Sequence, residues 1–400
     1  MKGGPPFTNT FVPFVLFCAS LWLKVDLMMK QLDIVIMGLS ITSSWGNGHA
    51  TTFRALVRAL SARGHNVCFL ERDVPWYAEN RDLPNPPYGL TQLYKSVAEL
   101  KQKFARRVMN ADLCIVGSYV PDGVEIGEWV IHTCRGVKAF YDIDTPVTLA
   151  KLGNGGAEYL TPRLVRHYDL YLSFTGGPVL RKIERELGSP MARALYCSVD
   201  PKLYFPERCK QRWDLGYMGT YSSDRQPSLE QLLIEPARHS HSLQTVVAGP
   251  MYPRELSWPA NVERIEHLAP SAHRRFYNSQ RFTLNLTRAD MRTVGYSPSV
   301  RLFEAAACAT PIISDYWPGL ETFFEIDDEI LTATTSDDVL HYLKHIPEKE
   351  RRAIGERARV RVLSEHTSER RAIELEHYVA EVMQTTATTQ PDPQTAGALA

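Results

Sequence analysis

The stretch from Leu32 to Arg72 narrows the choice of fold more than any other. LDIVIMGL (32–39) is an almost unbroken apolar run with a glycine near its end. A polar, glycine-containing loop follows, SITSSWGNGHA (40–50). TTFRALVRALSARGH (51–65) then sets Phe53, Leu56, Val57 and Leu60 on one helical face and stops at Gly64, a residue suited to a helix C-cap. NVCFLER (66–72) is a second apolar run. Strands that are apolar on both faces need cover on both faces. Joined through a helix they lie parallel, so this unit predicts an α/β fold with a parallel sheet between helical layers.

The pattern recurs. ADLCIVGSY (111–119), VKAFYDID (137–144) and YDLYLSFTGG (168–177) are short apolar runs ending in small or acidic residues, with helical stretches between them. CSVDPKLYFPERCKQ (197–211) reads as a connector. A second series follows, with strands in WDLGYMGTYSSDRQ (213–226), LQTVVAGP (243–250), NVERIEHL (261–268), RFTLNLTR (281–288), TPIISDY (310–316) and DEILTA (328–333). Helices are expected over 227–239, 270–278 and 299–308, and residues 347–384 are strongly helical in two stretches divided near SEHTS (364–368). The expected organisation is an extension over 1–30, a Rossmann-like domain over 31–205, a second over 206–365, a helix over 366–384 returning toward the first domain, and a disordered tail over 385–400. Ligands of such sheets bind outside the carboxyl ends of the strands. Two domains facing each other are therefore expected to line a central cleft with their strand-end loops.

Composition excludes several alternatives. Lys+Arg and Asp+Glu both number 45, so net charge gives no case for nucleic acid or for an acidic membrane as partner. Seven cysteines include no CxxC pair and read as reduced core residues of a cytoplasmic protein. Twelve histidines include no HExxH, and the His239–His241 pair lies in a polar linker, so a catalytic metal is not indicated; no cofactor is expected. FVPFVLFCASLWL (11–23) is too short for a membrane span. Met28 and Met29 directly precede the first strand, and a start codon assigned too early explains the segment at least as well as export does. TTATTQPDPQTAGALA (385–400) lacks periodicity and large apolar residues, hence the disordered tail.

RLFEAAACATPIISDYWPGLE (301–321) raises the chemical question. One carboxylate, Glu304, sits inside an apolar stretch at the start of a helix that has to be buried. Ser297 or Ser299 can cap that helix, and Pro298 is tolerated in its first turn. A free helix N-terminus offers unpaired N–H groups and partial positive charge, which suits a phosphate or diphosphate. A carboxylate one turn further on can accept from a vicinal diol such as a ribose, at about 1.5–3 kcal/mol for each charged hydrogen bond. The alternative is a solvated glutamate that stabilises the helix dipole.

These residues carry a resemblance. EAAACATPIISD (304–315) resembles the E-A-(small)-(small)-C-G-T-P segment in the second domain of GT-B glycosyltransferases. SVDPKLYFP (198–206) resembles the segment just before that domain, and GYMGTYSSDRQP (216–227) its first strand and loop. GYSPSVRLFEAAACATPIISDYWPGLETFF (295–324) is most similar to the CgeB-like branch, named for a spore-maturation protein. The likeness is sharpest over 197–225 and 295–325, looser over 32–180, and does not reach 1–28 or 385–400. It implies two Rossmann-like domains with C-terminal helices packing back, a nucleoside-diphosphate sugar as donor, and an acceptor of unknown class. It implies Glu304 at the donor ribose and Arg225 near the diphosphate, with Gly219, Arg288, Tyr296, Ser297, Ser299 and Arg301 around the donor. Two departures stand out. No lysine follows Arg225, where the chain reads QPSLE, and Tyr296 stands where such enzymes often have a second glutamate that contacts the transferred sugar. Arg288 and Arg292 supply the missing positive charge or are exposed loop arginines.

On the first domain, SWGNGHA (44–50) joins strand one to helix one. Gly46 and Gly48, flanking Asn47, permit tight turns and close approach by a ligand. His49 suits a general base or a hydrogen bond to an acceptor, or else serves only in the cap. Asp142 and Asp144 orient an acceptor hydroxyl or cap the next helix. Trp76 stacks on a sugar face or staples its loop to the core. One rival reading takes Gly46-x-Gly48-x-x-Thr51 as a dinucleotide fingerprint with Glu71 as its ribose acid, although the third glycine is a threonine. Another is a two-lobed binding protein without turnover. The reading that also employs 295–325 is a metal-independent glycosyltransferase, with His49 and Arg225 as the catalytic participants.

Overall fold

In the computed structural model, which describes residues 30–46 and 48–389, each lobe is built on one parallel sheet. The first holds β1 (Asp33–Gly38), β2 (Asn66–Arg72), β3 (Leu90–Tyr94), β4 (Leu113–Gly117), β5 (Val137–Asp142), β6 (Leu170–Ser173) and β7 (Ala192–Ala194), in the order β3-β2-β1-β4-β5-β6-β7. The second holds β8 (Trp213–Met218), β9 (Thr245–Ala248), β10 (Val262–Ile265), β11 (Gln280–Asn285), β12 (Ile312–Ser314) and β13 (Leu331–Thr332), in the order β10-β9-β8-β11-β12-β13. The helices that matter for the site are α1 (His49–Ala62), α2 (Thr145–Gly153), α3 (Ala289–Val294), α4 (Val300–Ala307), α5 (Glu348–Glu365) and α6 (Ser368–Thr389).

The apolar run of β1 is explained by its two neighbours. Ile34 and Ile36 enter one core with Phe53, Leu56, Val57 and Leu60 of α1, while Val35 and Met37 enter a second core on the opposite face. A residue of either parity is therefore buried, and polar alternation is impossible. Gly38 ends the strand opposite Glu71, and a Cβ there would lie 2.3 Å from the Phe69 ring. Gly64 turns the chain out of α1 with φ +94°, a conformation glycine adopts without strain. The strand order reverses between β1 and β4 in one lobe and between β8 and β11 in the other. At such a switch point adjacent loops leave in opposite directions and open a crevice.

The lobes are linked twice. After β7 the chain carries Cys197, Val199 and Tyr204 into the second lobe's core. Between α5 and α6 it returns beside that crossing, with Val199 N–H donating to His366 O (3.0 Å) and Ser368 N–H to Val199 O (2.9 Å). α6 then places Ala372, Leu375, Val379 and Val382 in the first lobe's core. Arg63 donates two hydrogen bonds to Glu376 (2.5 and 2.9 Å), and His65 Nε2 lies 2.8 Å from the same carboxylate.

Several local features differ from the expectations, and β7 lies in none of the expected runs. β3 was not anticipated, because only Tyr94 of its five residues is buried and an exposed edge imposes no apolar pattern. The helix expected over 227–239 contains a π turn, Glu230–Ile234, immediately before the segment that holds Pro236, which has no N–H to give. Helix α6 runs to Thr389, so residues 385–389 are helical rather than part of a tail. The remainder of that tail and the extension over 1–29 lie outside the described residues, as does Asn47. Among the described residues no helix is long and apolar enough to cross a membrane.

Candidate active site

Arg301 organises the second lobe's side of the cleft. It sits in the first turn of α4, partly buried, and donates to Met218 O (2.9 Å) and Leu286 O (3.0 Å). These carbonyls belong to the ends of β8 and β11, so one guanidinium bridges the switch point. Its Nε donates to Ser299 Oγ (3.0 Å), which also accepts from Arg301 N–H (3.3 Å) and caps α4. Gly219 allows this approach, since a Cβ there would lie 3.2 Å from Arg301 Nη1 and 2.5 Å from Tyr217 Oη.

Arg225 leaves the same loop. Its Nη2 donates to Thr220 O (2.7 Å), whereas its Nε is buried without a partner. Burial, and then the charge of Arg301, lower its pKa. Two guanidiniums thus share one corner, and Arg225 keeps a buried donor without a partner. Such a corner attracts an anion. Asp224 beside it bonds Ser222 and accepts from Ala289 N–H (2.8 Å), which anchors α3.

Glu304 is only 3 % exposed, so it is not a solvated helix residue. Its Oε2 accepts from the Tyr277 hydroxyl (3.1 Å). Burial raises its pKa, against His273, the hydroxyls of Tyr204 and Tyr277, and Arg301. The carboxylate is held inside the lobe by tyrosine donors.

Tyr296 and Ser297 meet the first lobe directly. Gly176 N–H donates to Tyr296 O (2.9 Å), and Thr175 Oγ1 to Ser297 Oγ (3.0 Å). Ser297 is therefore a cross-lobe contact, and the cap of α4 is Ser299. The Tyr296 ring lies between Gly177 of the first lobe and Gly319 of its own. Arg288 faces the first lobe as well: its charge opposes the burial that raises the Asp144 pKa, and it helps hold Asp224 below the usual carboxylate range. Arg292 stands apart, 3.9 Å from Asp315.

On the first lobe, His49 begins α1 with its Nδ1 buried and without a partner. Burial lowers its pKa from 6.5 to about 4, so the ring is neutral near pH 7. Tyr119, just after β4, sets its ring edge-on to the imidazole at 5.4 Å and donates to Asp144 Oδ2 (3.3 Å). The switch point between β1 and β4 thus carries His49, Tyr119 and Asp144. Asp142 takes another role from the one expected. It is fully buried and accepts from Tyr171 Oη (2.5 Å) and Thr148 Oγ1 (2.7 Å), so it orients no acceptor hydroxyl. Gly46 adopts φ +66°, and Gly48 precedes α1 without a side-chain cap. Trp76 is 53 % exposed and does not staple its loop to the core. Glu71 is fully buried and accepts from Ile41 N–H (2.6 Å), Thr42 N–H (2.9 Å) and Thr42 Oγ1 (2.6 Å), which commits it to the β1 loop rather than to a ribose.

Sequence reading missed Tyr119, Thr175, Gly177, Asp224 and Tyr277. All but Tyr277 occupy strand-end loops, so their position after an apolar run was the available signal. Among the described residues no group of three His, Cys, Asp or Glu is placed to hold a metal ion.

Residues 225–377 match the model of a family described as glycosyl transferase-like. No curated protein sequence matches the chain. Sucrose-phosphate synthase from Thermosynechococcus elongatus shares its fold, with TM-score 0.62 and 13% identity over 89% of this chain and 100% of the other. Anabaena HepE in complex with UDP and glucose gives TM-score 0.64 and 10% identity over 87% and 99%. An alpha-glucosyltransferase in complex with UDP gives 0.63 and 12% over 87% and 99%. The chain therefore shares the two-lobed GT-B fold of these glycosyltransferases, and its residues 225–377 match a glycosyl transferase-like family.

Proposed function

We propose that this protein transfers a sugar from a nucleoside-diphosphate sugar, with UDP the first candidate carrier, to a hydroxyl of an acceptor held on the first lobe. The observation that carries this reading is the corner formed by Arg225 and Arg301 beside the N-terminus of α4. There the diphosphate meets the unpartnered Arg225 Nε and the first N–H groups of the helix. UDP is put first because HepE and the alpha-glucosyltransferase are described with UDP bound. Glu304 takes the ribose hydroxyls in exchange for its tyrosine donors. The motif over 295–324 favours the CgeB-like branch, and the buried free thiols suit a reducing cytoplasm.

In the reaction the bond from the anomeric carbon to the diphosphate oxygen breaks and a bond to the acceptor oxygen forms. The acceptor proton passes to a base, for which neutral His49 is the candidate, and the nucleoside diphosphate leaves. Charge growing on the leaving oxygen is stabilised by Arg225, with Arg288 able to cover it from the cleft. Arg301, which bridges the Met218 and Leu286 carbonyls, positions this corner. Because arginines supply the positive charge, turnover proceeds without a metal ion.

Calorimetric titration with UDP, GDP, ADP, CMP and NADH tests the reading, beside Glu304→Ala and with EDTA present. One nucleoside diphosphate binds, and the variant weakens it by about tenfold, ~1.4 kcal/mol. Binding of NADH alone, unchanged in the variant, would sink the proposal.

A further inference from the structure

Two tryptophans in strand-end loops of the first lobe are left half in solvent. Trp45 is 52 % exposed and Trp76 53 %, while the neighbouring Tyr77 is buried. Trp45 lies in the loop leaving β1, and Trp76 in the short helical turn Pro75–Ala78 that follows β2. These are the carboxyl ends of two paired strands, which run about 4.8 Å apart. His49 lies four residues beyond Trp45, at the start of α1.

Hydrogen bonds and ion pairs join the segments that lead to the two indoles. Ser43 Oγ donates to Asn80 O (2.7 Å), Ser44 N–H to Asp82 Oδ1 (2.8 Å), and Leu83 N–H to Thr42 O (3.0 Å). Arg54 forks onto Asp82 (2.8 and 2.9 Å), and Arg81 reaches both Thr42 Oγ1 (3.1 Å) and Asp73 (2.5 Å). Asn80 Nδ2 closes the turn on Trp76 O (2.8 Å). Glu71 holds the β1 loop from beneath. Four charged side chains here pair among themselves, so they offer little to a charged ligand.

A half-exposed aromatic beside a hydrogen-bonded loop pair offers its face to a ligand with a broad apolar face of its own. Polar Ser44 and Asn80 interrupt the surface near the indoles, which disfavours an acyl chain needing a continuous apolar groove. A pyranose has the matching form: a face of C–H groups rimmed by hydroxyls. Two indoles at successive strand ends suit more than one ring.

We propose that Trp45 and Trp76 form a stacking platform for an oligosaccharide acceptor whose terminal sugar is directed toward His49. This rests on the glycosyltransferase reading. The test screens the full-length protein, with UDP present, on an array of neutral oligosaccharides, then measures the best ligand and UDP by calorimetry for Trp45→Ala, Trp76→Ala and the two phenylalanine variants. The alanine variants are expected to weaken saccharide binding by about tenfold or more. The phenylalanine variants, which keep a stacking ring, retain most of it, and all four bind UDP as the parent does. UDP binding with no saccharide captured, or saccharide binding that neither alanine variant alters, overturns the platform and leaves the donor reading standing. Loss of UDP binding in the parent removes both.

Discussion

A methyl group placed on Gly177 would lie 2.5 Å from the ring of Tyr296, so a glycine of one lobe and a tyrosine of the other meet with no spare room. Gly177 also adopts φ +64° and ψ −144°, where a side chain is strained. Gly177→Ala is expected to destabilise the protein by roughly 1–3 kcal/mol. Transfer falls further than UDP binding, because the donor corner lies within the second lobe. Thermal unfolding and UDP titration on one preparation check this; unchanged melting with unchanged turnover would refute it.

Arg225 and Arg301 separate binding from architecture. Arg225→Ala removes a donor that the fold uses only at Thr220, so UDP affinity drops by about tenfold while stability changes by less than about 1 kcal/mol. Arg301→Met leaves the Met218 and Leu286 carbonyls without their donor. It is expected to cost about 2–4 kcal/mol of stability. Denaturant unfolding distinguishes the two, and equal stability losses would contradict the assignment.

His49 sets a pH signature. Its folded pKa of about 4 lies below the 6.5 of an unperturbed histidine, so the unfolded chain takes up the proton first. The stability contributed by its neutral ring is present above pH 6.5 and is lost as pH falls toward 4. His49→Gln removes this part of the acid-side loss and lowers kcat more than the KM for donor. Ring-carbon NMR should give a midpoint near 4; a midpoint near 6.5 would show the ring to be solvated.

Asp142 behaves oppositely. Burial raises its pKa from 3.8 to about 6, against the hydrogen bonds from Tyr171 and Thr148. A raised carboxyl favours folding most below the unfolded value, and that advantage disappears as pH rises through about 6. Asp142→Asn should flatten stability between pH 4 and 6 relative to the parent, a difference of roughly 2–3 kcal/mol across the window. Parallel curves for parent and variant would exclude an ionising Asp142.

The alternating apolar runs determined a great deal by themselves. A run such as LDIVIMGL has to be buried on both faces, so two covered parallel sheets, their approximate strand positions and the strand-end placement of His49, Asp144 and Arg225 were all legible. Periodicity is a local property and survives without knowledge of contacts. What it does not encode is which side chains answer one another across the fold. Glu71 and Asp142 looked like free strand-end acids, yet each is closed by hydrogen bonds with residues from other segments. Glu304 looked like either a solvated helix glutamate or a ribose ligand, and only packing set it against Tyr277. Tyr296 looked like a missing carboxylate and is the ring that fills the gap between two glycines. Trp45 gave no signal, because exposure is a property of the assembled surface. Local sequence decided the elements; the partners of each polar group depended on distances between residues far apart in the chain, which only the tertiary structure sets.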